Sequence, residues 1–382
     1  MAGLYFHIPY CTQRCVYCDF YFVTTRKVHT PFVQAIRNEI EGYATEYANY
    51  EPIGTLYFGG GTPSLLLPEE LESILSTVHE HFDTSQVEEV TFEVNPEDAS
   101  LEYLRDIKSL GVDRLSIGIQ SFFDDDLTFL GRCHDSKSAQ NAIKNSEKAG
   151  FEKRSIDLIF GLPDQTENQW AMNLELACEM DIPHISTYGL TIEEKTPLWK
   201  QVQLGNVIPV DEETHSELFQ MAMDTLQKSE YEHYEISSFA RRGYRSVHNH
   251  RYWSHVNYIG FGPSAHSFWW RGLPARRWSN VRNLNRYQAF LGDHVRPIDE
   301  QENLSLDALA REYIMLRLRT SEGLDLKILE ERYGVDLLTC KIDELALLES
   351  SEFILTIRNQ KVILSDLGKT ICNSVTQRLL PD

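Results

Sequence analysis

The sequence predicts an α/β fold: an incomplete barrel of parallel strands followed by a small, mainly helical domain. Three observations predict it. Short apolar runs alternate six times with amphipathic stretches, the order expected of βα units joined by right-handed crossovers. Polar or glycine-rich residues recur at the C-terminal end of each run, where parallel barrels carry their chemistry. After residue 305 the pattern changes to helices and one hairpin. A closed barrel takes about eight units, so six give a partial one.

The candidate strands are 3–8, 55–58, 88–94, 113–119, 154–160 and 184–191. The candidate helices between and after them are 30–48, 68–81, 100–109, 136–149, 166–180 and 212–228. The first strand leads into a cysteine loop and the second into Gly59-Gly60-Gly61-Thr62-Pro63. The third ends in Glu93-Val94-Asn95 and the fourth in Gln120-Ser121. The fifth carries Asp157 and leads to Gly161-Leu162-Pro163; the sixth ends at Tyr188-Gly189. Each is ordinary turn chemistry alone, but six in register mark one common face. Residues 287–304 mix Gly, Asp, Pro and polar residues and read as a connection. Helices Asp307–Thr320, Leu326–Tyr333 and Ile342–Ser350 follow. A hairpin, Phe353–Ile357 and Lys361–Ser365 across Arg358-Asn359-Gln360, then precedes a helix over Asp366–Leu380, which is a winged-helix-like order. The division expected is a barrel over 1–290 and a second domain over 305–382.

At 42% hydrophobic residues, a chain of 382 can build one large core and a smaller one. The net charge of −21 argues against nucleic acid as a partner of the whole surface. The C-terminal segment is not strongly basic, which argues against duplex DNA. No apolar run approaches the length of a membrane span, and residues 1–10 lack the pattern of a signal peptide. A cytoplasmic protein is expected, with at most transient peripheral contact with a membrane. Beyond the loop triplet, Cys133, Cys178, Cys340 and Cys372 are scattered and read as reduced core thiols rather than disulfides.

The loop Cys11-Thr12-Gln13-Arg14-Cys15-Val16-Tyr17-Cys18 places three thiols within eight residues, spaced CxxxCxxC. Thiolates hold iron–sulfur clusters, and a four-iron cube normally takes four of them. Three leave one iron open to a small molecule. The competing reading is a structural zinc knuckle, which would need a fourth ligand such as His7. The spacing resembles that of the radical SAM superfamily. That resemblance implies a partial (βα)6 radical SAM barrel, with a [4Fe-4S] cluster whose open iron binds S-adenosyl-L-methionine. It also gives the glycine run a role, since Gly60, Gly61 and Thr62 would meet the methionine amino group. Otherwise the run is a tight βα turn.

A second stretch, 241–286, holds nine arginines and no Lys, Asp or Glu, against the acidic balance of the chain. It also contains four of the six tryptophans and His248, His250, His255 and His266. Arginine pairs with carboxylates and phosphates, aromatic rings stack on flat bodies, and neutral histidine ligates metals. A metallated tetrapyrrole with propionate arms fits all three. A nucleic acid fits two, and a barrel-closing segment paired with acidic neighbours is the plain alternative.

Within it, His248-Asn249-His250-Arg251-Tyr252-Trp253 resembles the HNxxYW motif of the HemW family of radical SAM heme chaperones, which is similar to oxygen-independent coproporphyrinogen III oxidase (HemN). The match runs through Tyr5–Pro9, the cysteine loop, residues 59–63, Glu93–Pro96, Ser116–Phe122, Leu130-Gly131-Arg132 and Asp157–Gly161. The resemblance implies Cys11, Cys15 and Cys18 as cluster ligands. It implies Tyr5, Tyr17, Glu93, Gln120, Arg132 and Asp157, with the glycine run, as S-adenosylmethionine contacts. It implies His248 as heme ligand, supported by Asn249, Tyr252 and Trp253, with His250 as rival. The implied partners are heme, apo-hemoproteins of the respiratory chain, and an electron donor such as a flavodoxin or ferredoxin. Two departures separate the chain from the oxidases: Phe20 stands where they carry a further cysteine, and only ten residues precede Cys11. The remaining alternatives are a coproporphyrinogen oxidase and an RNA-modifying radical enzyme.

Overall fold

The computed structural model describes residues 1–25, 30–355 and 360–381. The six expected strands are present: β1 (Ala2–Ile8), β2 (Ile53–Gly60), β3 (Glu89–Val94), β4 (Arg114–Gln120), β5 (Lys153–Phe160) and β6 (His184–Gly189). They lie side by side in chain order and pair in parallel. The six helices also form: α1 (Thr30–Tyr47), α2 (Pro68–His81), α3 (Leu101–Ser109), α4 (Ser136–Lys148), α5 (Glu167–Glu179) and α6 (Glu212–Lys228). Their N-termini carry recognisable signals, such as Ser100 accepting from Tyr103 N–H and Asp211 from Thr214 N–H.

The sheet is larger than expected. It adds β7 (Glu232–Glu235), β8 (Ser238–Ala240), β9 (Tyr258–Phe261), β10 (His266–Trp269), β11 (Ala275–Asn280) and β12 (Ile298–Leu304). The order is β12-β11-β10-β9-β1-β2-β3-β4-β5-β6-β8-β7, with β12 and β7 as open edges. β9 pairs with β1 in parallel; β7, β8, β10, β11 and β12 run antiparallel to their neighbours. The segment read as a connection over 287–304 therefore ends in a sheet strand. Ile298–Leu304 exposes five successive residues, so it carries no apolar alternation to reveal it.

Alternation along the parallel strands sorts side chains by layer. Leu4, Phe6, Leu56, Phe58, Phe92, Leu115, Ile117, Ile156 and Leu158 join the main hydrophobic core. Phe6 stacks between Phe58 and Phe261, with ring centroids 4.5 and 5.1 Å away. Burial of each such ring contributes about 2–3 kcal/mol. The residues between them are polar and meet one another across strands: Tyr57 with Glu93, Ser116 with Asp157, Ser155 with His184. The barrel interior is thus largely polar, with Ile159 an exception at the cavity end, and the helices cover its apolar outside.

The C-terminal part packs on a second core that shares Phe268, Ala275 and Leu304 with the sheet. Helices Leu306–Leu318, Leu326–Tyr333 and Ile342–Ser350 form as expected. A small antiparallel sheet joins Leu324–Asp325, Lys361–Leu364 and Ile354–Leu355. The turn expected at Arg358-Asn359, and the end of the strand before it, lie outside the described residues. The helix expected over Asp366–Leu380 is divided at Ile371 into Asp366–Thr370 and Cys372–Leu379.

Candidate functional site

At the C-terminal ends of β1–β6 lies a cavity of about 440 Å³. Cys11, Cys15 and Cys18 line it together with Tyr17, Gly60, Gly61, Thr62, Glu93, Gln120, Arg132 and Asp157. Every residue expected to meet the cluster or S-adenosylmethionine is therefore at one place, except Tyr5. Tyr5 lies deeper in the barrel, its ring 6.0 Å from that of Tyr57 and its hydroxyl 3.2 Å from His7 Nδ1.

The cysteine loop is held from several sides. Tyr10–Cys11 pairs in parallel with Val23–Thr24, Val16 N–H donates to Leu130 O, and Leu198 N–H donates to Val16 O. Gly61 explains one reason for the glycine run. A Cβ there would come within 2.7 Å of the carbonyl oxygens of Ile8 and Tyr10. The backbone after β2 and the start of the cysteine loop touch because residue 61 has no side chain. Gly60 has φ +107° and would likewise collide with His7.

All three thiols are free and half-buried. Burial pushes Cys11 and Cys18 up to about 11, against hydrogen bonds from Thr62 to Cys11 and from the Phe20 backbone to Cys18. They are neutral near pH 7 until a metal replaces the protons. Thr62 Oγ1 donates to Cys11 Sγ and Arg132 Nη1 to Cys15 Sγ, both at 3.5 Å. His7 is not placed to be a fourth ligand of a zinc knuckle. Its Nε2 meets Tyr21 O at 2.8 Å and its Nδ1 faces Tyr5, so neither nitrogen is directed to the thiols. Among the described residues no three His, Cys, Asp or Glu side chains converge on a single ion position.

Opposite the thiols stand two carboxylates that hold protons unusually well. Glu93 accepts from Tyr57 OH at 2.8 Å and from Gly60 N–H at 3.2 Å, yet burial, with Asp157 nearby, raises it to about 7. Burial lifts Asp157 to about 6 against the pull of Arg114. Arg132 Nη2 donates to Asn95 Oδ1 at 2.7 Å and to Gly118 O at 3.1 Å, while its buried Nε has no partner among the described residues. Gln120 sits at φ +67° beside a register shift of β4. Left-handed backbone at a residue other than glycine is strain of the kind that marks ligand sites. This donor set suits a cluster with a polar, zwitterionic ligand: thiols on one side, and an unsatisfied guanidinium nitrogen and carboxylates on the other.

The HNxxYW motif is elsewhere. Val247–Trp253 forms a short helix, α7, under the opposite end of the barrel. His248 Nδ1 meets Thr55 Oγ1 at 2.8 Å and its Nε2 meets Tyr252 OH at 2.9 Å, in a side chain 2% exposed. Thr55 starts β2 and Gly60 ends it, roughly 16 Å apart at the usual rise. Burial, with Arg251 and Arg114, lowers His248 to about 3. Both His248 nitrogens are hydrogen-bonded inside the barrel. His250 faces Glu322 at 3.4 Å. Glu89 receives the N–H groups of Val247 and His248, fixing the start of α7.

Five of the nine arginines of 241–286 follow the plain alternative. Arg241 pairs with Asp181, Arg245 with Glu232 and Glu322, Arg251 with Glu88, Arg276 with Glu46, and Arg277 with Glu302 and Glu312. Trp269 and Trp278 are buried against Tyr43 and Tyr47. The segment seals the sheet and docks the C-terminal helices, which accounts for these five arginines and two tryptophans.

Three residues that sequence reasoning passed over belong to the cavity or its support. Tyr57 holds Glu93, and Asn95 links Arg132 to Thr62. Cys133, expected in a core, is exposed at the cavity, within 3.5 Å of Gln13 and 3.8 Å of Thr12 in the cysteine loop. Its place directly after Arg132 was the available signal. Cys340 is likewise exposed rather than in a core.

Comparison with known proteins agrees with this geometry. Residues 5–177 match the radical SAM superfamily model and 304–370 the HemN C-terminal domain model. The chain is 32% identical to "Heme chaperone HemW" of Bacillus subtilis over 337 residues, 87% of each protein. It is 31% identical to the Lactococcus lactis protein of that name, covering 99% of this chain and 97% of the other. The solved structure of coproporphyrinogen III oxidase (HemN) from Escherichia coli, described as a radical SAM enzyme, superposes with a TM-score of 0.83 at 20% identity, over 99% of this chain and 90% of that one. That likeness carries the fold. With the cysteine loop, the glycine run and both domain models in their expected order, the chain belongs to the HemW family of the radical SAM superfamily.

Proposed function

We propose that this chain is a cytoplasmic heme chaperone that takes a [4Fe-4S] cluster and S-adenosylmethionine in the cavity at the strand ends. It would deliver heme to apo-hemoproteins such as respiratory enzymes, with a flavodoxin or ferredoxin as electron donor. The observation that carries the reading is three free thiols from one loop lining one cavity with Arg132, Glu93 and Asp157. The heme cargo rests on the name borne by the relatives. No described helix is long and apolar enough to cross a membrane.

Cys11, Cys15 and Cys18 would each hold one iron, leaving the fourth for the amino and carboxylate groups of S-adenosylmethionine. When bound, such a cluster supplies one-electron reduction of a sulfonium. The rest is the work of this chain's side chains. Thr62 and Arg132 donate to two of the sulfurs, which stabilises thiolate over thiol. The unpartnered Arg132 Nε can hold a carboxylate. Glu93 and Asp157, both raised by burial, would accept hydrogen bonds from an amino group or ribose hydroxyls when ionised.

The oxidase reading is not favoured. Phe20, 65% exposed at the cavity rim, stands where the oxidases carry cysteine. Anaerobic reconstitution tests both readings. The chaperone binds about four irons per chain, transfers heme to an apo-hemoprotein, and yields no steady protoporphyrinogen from coproporphyrinogen, reductant and S-adenosylmethionine. Sustained protoporphyrinogen formation would make the oxidase the correct reading.

A further inference from the structure

A second cavity, of about 650 Å³, adjoins the first and shares Gly189 and Leu190 with it. The barrel side contributes Phe160, Leu190, Val210 and Phe219, together with polar groups such as Thr187 and Ser216. The C-terminal domain contributes a mostly polar wall that includes Arg319, Lys369, Thr370, Asn373 and Ser374. That volume and mixture suit a small organic molecule with an apolar body and a polar head group.

The charges of the C-terminal wall do not balance. Lys369 is held by Asp366 at 2.8 Å. Arg319 pairs with no carboxylate among the described residues. Its Nη1 donates to Met315 O at 2.6 Å, at the end of the preceding helix, and its Nη2 to Asn373 Oδ1 at 2.5 Å. Both acceptors are neutral, so the full charge of the guanidinium is unmatched and several of its N–H groups remain to donate. Asn373 is the second residue of the helix Cys372–Leu379, which has no side-chain cap and no acidic residue in its first turn. A helix N-terminus carries a partial positive charge and is ordinarily relieved by a carboxylate. Here it meets a guanidinium instead. Arg319 also reaches the first residue of that helix, opposing the rise that burial gives the Cys372 thiol. A cation and a positive helix end thus share one stretch of wall. On the barrel side, Asp211 and Glu212 are exposed, and Asp211 is occupied as the cap of α6, accepting from Thr214 N–H at 2.8 Å. His215, also in the lining, is kept neutral at pH 7 by burial.

We propose that this cavity binds a small organic anion, a phosphate or carboxylate on an apolar body. Its charged group lies between Arg319 and the start of the helix Cys372–Leu379, and its body lies against Phe160 and Phe219, whose rings stack 6.0 Å apart. Such a ligand bridges the barrel and the C-terminal domain. The assignment does not depend on the cluster or on the heme-chaperone reading.

Isothermal titration of the full chain with phenyl phosphate, phenylacetate and benzyl alcohol tests it. At least one of the two anions is expected to bind saturably at a single site, and the tighter of them identifies the head group. Benzyl alcohol, which has the body without the charge, is expected not to bind. Arg319→Gln is expected to weaken anion binding by about tenfold or more. Asn373→Asp puts a carboxylate beside Arg319 and is expected to abolish binding while raising the thermal midpoint of the unliganded chain. An aspartate early in a helix is favourable by itself, so the loss of binding is the deciding readout. Wild-type protein that binds neither anion would overturn the site, as would benzyl alcohol bound as tightly as the anions. An Arg319→Gln protein that folds and binds like wild type would also overturn it. If Arg319→Gln does not fold, Asn373→Asp decides, and unchanged affinity in that variant ends the proposal.

Discussion

The two ends of the barrel interior are built from the same kinds of residue and do opposite things. Below, Glu89 takes two backbone N–H groups of α7, His248 bridges Thr55 and Tyr252, and His184 bridges Ser155 and Tyr234. Above, Arg132 keeps an unpartnered nitrogen, Glu93 and Asp157 sit near neutrality, and three thiols are free. Polar groups that satisfy one another become structure. Those with valence to spare become a site. Residue type alone does not separate the two cases, which is why a His-Tyr-Trp motif reads as a ligand site until its nitrogens are counted.

The comparison can be broken or sharpened by mutation. The largest effect is expected at the top: Cys15→Ala should abolish iron and sulfide retention after anaerobic reconstitution while leaving thermal stability of the apo chain nearly unchanged. Full iron content in that variant would break the assignment. At the bottom the pattern should invert. Glu89→Ala removes the carboxylate beside the buried Arg114 and should cost about 3 kcal/mol in denaturant unfolding. His248→Ala should cost about 2 kcal/mol through two lost buried hydrogen bonds, with iron content unaltered. Gly61→Ala joins the two readouts. Its Cβ meets main-chain oxygens of the cysteine loop, so about 1–3 kcal/mol of stability and part of the iron should be lost together.

The smallest effect is in pH. The raised Glu93 carboxyl binds its proton more tightly folded than unfolded. Its stabilisation is therefore complete below about 4.5 and is lost as pH rises through about 7. Wild-type apo protein should lose stability relative to Glu93→Gln across that window, measured as denaturation midpoints at pH 5 and pH 8. A constant difference would place the Glu93 proton elsewhere.

What the sequence disclosed follows from periodicity. Six apolar runs and the helices between them are local signals, and parallel pairing brings their polar ends to one face, so eleven of the twelve residues assigned to cluster or S-adenosylmethionine fall in one cavity and only Tyr5 does not. The heme assignment was read from composition and motif, and neither encodes which end of a barrel a returning segment reaches. Arg241, Arg245, Arg251, Arg276 and Arg277 seemed unbalanced because their acids, from Glu46 to Glu322, are distant in the chain. β9 was hidden by its four-residue length, and β12 by an edge that needs no buried face.

β1 stands mid-sheet, flanked by β2 on one side and β9 on the other. As a nascent chain leaves the ribosome, its first strand can lean on β2 early, but its other flank stays bare until residues 258–261 have emerged. The cysteine loop hangs from the end of that half-supported strand. The pairing that completes its support comes from the last third of the barrel segment, so a product truncated before residue 258 would expose the three thiols on a strand bare along one flank.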